Sequence, residues 1–487
     1  MARFFLKKFF YYVIITIMIN HDDTICAIAT ALSPAGIGII RVSGDKAIDI
    51  VSTIFVNKNK QKIDIKETHK IYYGYIFDRS SDSFIDEVLV LTMLKPKSYT
   101  ADDVVEIQCH GGLLVLKNIL NLLVENGVRI AEPGEFTKRA FLNGRIDLSK
   151  AESVSDIIMS KNDYALKASF NQLKGNLSDK LNSFREELLE STAFIEACLD
   201  DPEHMSVEGF KPKLKIQCEN IIIELDTIIK NYDNGKLIKE GINTVILGKP
   251  NVGKSSLLNT LLNEDRAIVT DIAGTTRDTI KESINLNGIT LNIIDTAGIR
   301  NEDNIDTVEK IGIDRAKNEA ENADLIILVL DSSKPLDKDD EELISLCKTL
   351  NKKTIILDNK SDLCDSARKT RAYDFGRTGE FHEPHINFST KTKEGLQELV
   401  STIEKMFLNK ELDFNNEIFI SNERQLQSIK NARISLQNVL SSIEKDVSED
   451  FLTIDLTDAY THLSQVLGIE VTDDLVNEIF AKFCMGK

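Results

Sequence analysis

The stretch Gly248-Lys249-Pro250-Asn251-Val252-Gly253-Lys254-Ser255 constrains this chain more than any other. It follows the apolar run Thr244-Val245-Ile246-Leu247, which reads as a buried strand. It opens the periodic run Ser256-Leu257-Leu258-Asn259-Thr260-Leu261-Leu262, which reads as a helix. A strand, a turn with a glycine at each end and a helix, in that order, are what a phosphate loop requires. The glycines let the backbone curl so that successive N–H groups and the positive helix end face a polyphosphate. In that frame Lys254 reaches the outer phosphates, and the Ser255 hydroxyl can bind Mg²⁺.

Base choice is read further along. Asn359-Lys360-Ser361-Asp362 ends the apolar strand Thr354-Ile355-Ile356-Leu357. A carboxylate such as Asp362 accepts both the ring N–H and the amino group of guanine, a pair that adenine does not offer together. The expected ligand is therefore GTP rather than ATP. Between these landmarks lie Gly274-Thr275-Thr276-Arg277-Asp278 and, after the strand Leu291-Asn292-Ile293-Ile294, Asp295-Thr296-Ala297-Gly298; beyond them comes Ser389-Thr390-Lys391. Five motifs in this order resemble a Ras-like GTPase domain. Such domains place a Gln after the Asp-x-x-Gly motif to orient the attacking water, but Ile299 stands there. Arg277 and Arg300 read as structural or partner-facing rather than as an arginine finger.

A chain of 487 residues is too long for one core, so two or three domains are expected. The formal charge of −18 argues against wrapping nucleic acid through one broad basic face, though not against a local RNA contact. The seven cysteines, Cys26, Cys109, Cys198, Cys218, Cys347, Cys364 and Cys484, contain no C-x-x-C pair. That fits a reducing cytosol without a zinc site.

Residues 1–20 carry Arg3, Lys7 and Lys8 before an apolar run over residues 9–19. The run falls short of the roughly 20 apolar residues of a spanning helix. No small-residue cleavage site follows, so the expectation is a start at Met18 rather than a targeting segment or a membrane anchor. Residues 21–143 read as an α+β domain. Its strands include residues 26–29, 38–42, 88–91 and 104–108, with a helix over residues 112–123. Glycine turns at residues 33–38, 110–112 and 133–137 are, taken alone, ordinary turns, and Arg41 and Glu106 are by default surface charges.

Helical runs follow over residues 144–235 and return over residues 404–487. Leu173, Leu177, Leu181, Phe184 and Leu188 make one apolar stripe; Leu426, Ile429, Ala432, Leu436, Val439 and Ile443 make another. The expected fold is multidomain: an N-terminal α+β domain, an all-α helical domain, and a Ras-like α/β domain inserted in it over residues 236–403.

The N-terminal block, Gly274-Thr275-Thr276-Arg277-Asp278, Val308-Glu309-Lys310-Ile311-Gly312 and the terminal Phe483-Cys484-Met485-Gly486-Lys487 together resemble the MnmE (TrmE) family of tRNA modification GTPases, from about residue 23 to the end. A C-x-G-K tail combined with an inserted GTPase is specific to that family. The resemblance implies GTP contacts at Asn251, Val252, Gly253, Lys254, Ser255 and Ser256; at Thr270, Asp271, Ile272, Ala273, Gly274, Thr275 and Thr276; at Asp295, Thr296, Ala297 and Gly298; and at Asn359, Lys360, Asp362, Ser389, Thr390 and Lys391. It implies Mg²⁺ at Ser255 and Thr276, K⁺ at Asn251, Thr270, Ile272 and Thr275, and Glu309 as the residue that positions water. A tetrahydrofolate derivative, 5-formyl or 5,10-methylene, falls on Arg41, Glu106, Arg145 and Lys487. The family usually has Lys where Arg145 stands, which keeps the charge but not the geometry. Cys484 is left between a nucleophile and a packing residue.

The resemblance further implies a cytoplasmic homodimer that works with the flavoprotein MnmG (GidA) as a heterotetramer on tRNA, away from membranes. The product would be an aminomethyl or carboxymethylaminomethyl group on C5 of the wobble uridine. Two other classes remain open at this point: a GTPase switch in ribosome assembly without one-carbon chemistry, and a membrane-anchored GTPase resting on residues 1–20.

Overall fold

The structure is a computed structural model that describes residues 23–201, 209–264, 282–294, 319–363, 383–407, 417–469 and 471–484, with residues 317 and 486. Residues 1–22, 265–281, 295–316, 364–382 and 408–416 and Lys487 are among those outside that set. The chain divides into two compact units, one of Met1–Ser155 with Ser464–Lys487, the other of Asp156–Leu463.

In the first unit, seven strands pair among the described residues: β1 (Ile25–Ile28), β2 (Ala35–Ser43), β3 (Phe55–Val56), β4 (Lys70–Asp78), β5 (Ser83–Met93), β6 (Val104–Gly111) and β7 (Arg129–Ile130), in the order β3-β4-β5-β6-β2-β1-β7. Period-two alternation sends Ile40 and Val42 of β2, and Val105, Ile107 and Cys109 of β6, into a core. Leu116, Ile119 and Leu123 of the helix Leu113–Glu125 join them there. Arg41 and Glu106 lie between these apolar positions, so they emerge on the other face, directly opposite each other in the antiparallel register. The last helix, Asp473–Phe480, returns to this unit. Its Phe480, with Phe483 and Val476, packs on Leu148 and Ala151.

In the second unit, the stripes foreseen in the sequence are core. Leu177, Leu181, Phe184 and Leu188 of Asn176–Asp200 are buried, as are Leu426, Ile429, Ala432, Leu436 and Val439 of Glu423–Glu444; Leu173 and Ile443, nearer the stripe ends, are half-buried. The helix Lys211–Lys230 runs against Glu423–Glu444, with Arg433 paired to Asp226 across them. Between these helices in chain order stands a sheet of β8 (Ile242–Leu247), β9 (Glu282–Leu286), β10 (Ile289–Ile293), β11 (Leu325–Asp331), β12 (Lys353–Asn359) and β13 (His385–Asn387), ordered β13-β12-β11-β8-β10-β9. Every pairing is parallel except that of β9 with β10. β11 is apolar and buried from Leu325 to Leu330, as a strand covered on both faces must be. This is the Ras-like order, inserted in a helical domain. One buried side chain ties the two parts: Asn162 caps its own helix at Ala165, and its amide donates to Ile238 O and Thr290 Oγ1, both at 2.9 Å.

Candidate functional sites in the two units

The phosphate loop forms where β8 ends, at the carboxyl edge of the parallel strands, where open α/β sheets bind ligands. Its helix, Lys254–Glu264, begins at the lysine of the motif. Asn251 and Gly253 both have left-handed backbone, with φ of 63° and 103°. A Cβ on Gly253 would stand 2.3 Å from Asn359 Nδ2, so this position needs glycine. The Lys254 ammonium donates to Gly248 O at 2.9 Å and Lys249 O at 2.8 Å, which holds it across the mouth of the loop.

The base-reading motif braces the same loop. Asn359 is buried; its Nδ2 donates to Val252 O at 2.7 Å, and its Oδ1 accepts from Thr390 N at 3.2 Å. Lys360, with φ of 65°, donates to Asn251 O at 2.9 Å and to Asp331 Oδ2 at 2.7 Å. Burial pushes the Asp331 carboxyl up, but hydrogen bonds from Lys360 and Ser333 outweigh it and hold it below the ordinary value. The Ser389 hydroxyl donates to Asp362 Oδ1 at 2.8 Å, fixing the carboxylate's orientation. Thus Asn251, Val252, Gly253, Lys254, Asn359, Lys360, Asp362, Ser389 and Thr390 fall in one connected set, and Ser255 and Ser256 start the helix beside it. The expected residues Thr270 to Thr276, Asp295 to Gly298 and Glu309 lie outside the described residues.

A second site is built on the first unit's sheet. Glu106 accepts from Arg41 Nε at 2.9 Å and Nη2 at 2.8 Å, both on Oε1, and the two side chains are only 14% and 13% exposed. Glu106 Oε2 takes no hydrogen bond from the described residues. Arg41 Nη1 donates to Gly486 O at 3.1 Å, joining residues 445 positions apart. Gly486 has φ of 85°, and a Cβ there would meet Ile28 O at 2.5 Å, so the tail can lie against β1 only as glycine. The Cys484 carbonyl accepts from Gly134 N at 3.3 Å. The thiol of Cys484 is exposed, while the other described cysteines are buried. Burial pushes Cys26 up to about 12 and Cys109 up to about 11, so those two are inert thiols.

Sequence reasoning missed Tyr99. Arg41 lies 4.9 Å and Arg145 5.0 Å from the centroid of its ring, and Arg145 Nη1 also donates to Tyr99 O at 2.8 Å. Arg41, Glu106, Arg145 and the tail therefore share one neighbourhood; Lys487 lies outside the described residues. Tyr99 sits in a plain polar turn, Ser98-Tyr99-Thr100, and no spacing marks it.

Both blocks match known family models: the TrmE GTP-binding protein N-terminus over residues 24–145 and the MnmE helical domain over residues 148–484. Among curated proteins, the tRNA modification GTPase MnmE of Lachnoclostridium phytofermentans is 50% identical over 466 residues, covering 96% of this chain and 99% of the relative. That of Acetivibrio thermocellus is 45% identical at the same coverage. That of Lactobacillus delbrueckii subsp. bulgaricus is 43% identical over 96% of this chain and 98% of its own. With matching models across both units and such identity along nearly its whole length, the chain belongs to the MnmE family of tRNA modification GTPases.

Proposed function

We propose that this GTP hydrolase of tRNA modification helps to build an aminomethyl or carboxymethylaminomethyl group on C5 of the wobble uridine of certain tRNAs. The partner is an MnmG-like flavoprotein, and the added carbon comes from a tetrahydrofolate derivative held by the first unit. The observation that carries this reading is the meeting of the tail with the strand pair: Arg41 binds Glu106 and Gly486 O at once. A folate needs a carboxylate for its pterin donors and cations for its glutamate end. Glu106 offers the unused Oε2, Arg145 offers a cation at the ring of Tyr99, and Lys487 follows Gly486 directly.

In the second unit, Lys254 and the loop amides take the phosphates, Ser255 with Thr276 takes Mg²⁺, and Asp362 reads guanine. Asn251 is a K⁺ ligand together with Thr270, Ile272 and Thr275. Its left-handed backbone and the Lys360 bond to its carbonyl fix the residue that carries the neutral amide oxygen. Bound K⁺ supplies the positive charge that an arginine finger brings elsewhere, a rate gain of roughly 10³ to 10⁵. Glu309 orients the attacking water, and two chains associate as a homodimer.

Two measurements on the full chain test this. GTP hydrolysis should be fast in K⁺ and slow in Na⁺, with the difference lost in Asn251→Ala while GDP still binds. Binding of 5-formyltetrahydrofolate should weaken by about tenfold or more in Glu106→Gln, since a charged acceptor is worth about 1.5–3 kcal/mol. Hydrolysis indifferent to the cation would overturn the ion's role, and unchanged folate affinity would overturn that of Glu106.

A further inference from the structure

The second residue of the phosphate loop is held by a device that the nucleotide motifs do not account for. Lys249 Nζ pairs with Asp337 and, at 2.8 Å, with Asp340 Oδ2. Those aspartates form the capping box of the helix Lys338–Leu350: Asp337 accepts from Asp340 N, and Asp340 Oδ2 accepts from Asp337 N, both at 3.2 Å. Asp340 is 4% exposed, and its Oδ1 is buried with no hydrogen-bond partner among the described residues. Its charge is therefore compensated chiefly by Lys249. A buried carboxylate stripped of its cation is costly, so the capped helix end strongly prefers Lys249 in place. On the other side, the carbonyl of Lys249 accepts from the Lys254 ammonium at 2.8 Å. Lys249 thus joins two things: its side chain is anchored to a rigid helix end, and its backbone orients the lysine that meets the phosphates.

We propose that Lys249 is a positioning residue for GTP hydrolysis, setting Lys254 through the tether to Asp337 and Asp340. The proposal rests on Lys254 as the phosphate-binding lysine. A proline follows Lys249, which stiffens the loop so that a shift of the side chain is passed to the carbonyl. Loss of the tether lets the Lys249 carbonyl turn, and misplacement of a phosphate contact on the order of 1 Å can cost about 10²-fold in rate.

The test is a double-mutant cycle on the full chain, with GTP kcat/KM measured well below the unfolding temperature of every variant. Lys249→Met and Asp340→Asn should each lower kcat/KM about tenfold. The double variant should lose little more than either alone, because both break one tether. Lys249→Arg should retain most of the activity. Should Asp340→Asn fail to fold, Asp337→Asn serves, since Asn caps a helix as well as Asp and removes only the charge. Lys254→Ala is the control for the underlying reading: if it still binds and hydrolyses GTP, the assignment of Lys254 itself is wrong. Losses that multiply in the double variant would overturn the tether. So would aspartate variants that melt earlier yet hydrolyse GTP within about twofold of wild type, because the pair would then be purely structural.

Discussion

Asp23, Arg129, Glu135 and Arg139 form a charged network that no sequence spacing announced. Arg139, with a side chain only 3% exposed, binds Asp23 Oδ1 at 2.6 Å and Glu135 Oε1 at 3.1 Å; Arg129 binds the same two carboxylates from outside. Burial pushes both carboxyls up, but hydrogen bonds from the arginines outweigh it and hold them below their ordinary values of 3.8 and 4.5. A lowered carboxyl stabilises the folded state fully above its unfolded value and loses that contribution as pH falls through the folded one. The melting temperature should therefore drop as pH is taken from about 6 to about 3. Glu135→Gln should be less stable at neutral pH and show a shallower drop. Parallel pH curves for the two proteins would show that Glu135 is not part of the acid response. Arg41 and Glu106 show the same limit from the other side. The sequence makes them surface charges, and only the family resemblance singled them out, because their pairing depends on the register of β2 with β6.

At the scale of elements, legibility followed periodicity. β8, β11 and β12 each contain a continuous buried apolar run, Val245–Leu247, Leu325–Leu330 and Ile355–Leu357, and the helical stripes repeat at i, i+3, i+4, so each was readable from local pattern alone. β4 was not. Its burial alternates from Ile71 to Ile76 and breaks at Phe77, where the register with β5 shifts, but apolar and aromatic residues stand on both faces and Gly74 falls within the run, so the sequence shows no period of two. The short β7 is exposed and holds its place by pairing with β1, whereas the two residues of β3, Phe55 and Val56, are buried but too few to show a period. The graded burial of the stripes makes a stability prediction. Leu436→Ala, at a fully buried position, should cost about 2–5 kcal/mol, and Leu173→Ala, at a half-buried stripe end, distinctly less. Denaturant unfolding gives both values; equal costs would mean that burial along the stripe does not set its contribution to stability.

For the whole molecule, the order of domains was legible because the phosphate loop and the Asn-Lys-x-Asp motif bracket an insertion between helical runs. The return of Ser464–Lys487 to the N-terminal unit was not legible from pattern. It rests on Phe480 and Phe483 finding Leu148 and Ala151, and on Gly486 fitting against Ile28, contacts between residues over 300 positions apart. Among the described residues, no helix is long and apolar enough to cross a membrane, and residues 1–20 lie outside that set. The central claim is that GTP hydrolysis in one unit serves uridine chemistry assembled in the other around the tail. The most direct measurement is mass spectrometry of the wobble uridine in tRNA from a strain lacking this chain, complemented with the intact protein or with one lacking residues 486–487. The intact protein should restore the C5 modification; the truncated one should not, while its K⁺-stimulated GTP hydrolysis stays within about twofold of the intact protein's. Full restoration by the truncated protein, or tRNA unchanged by loss of the chain, would contradict the account.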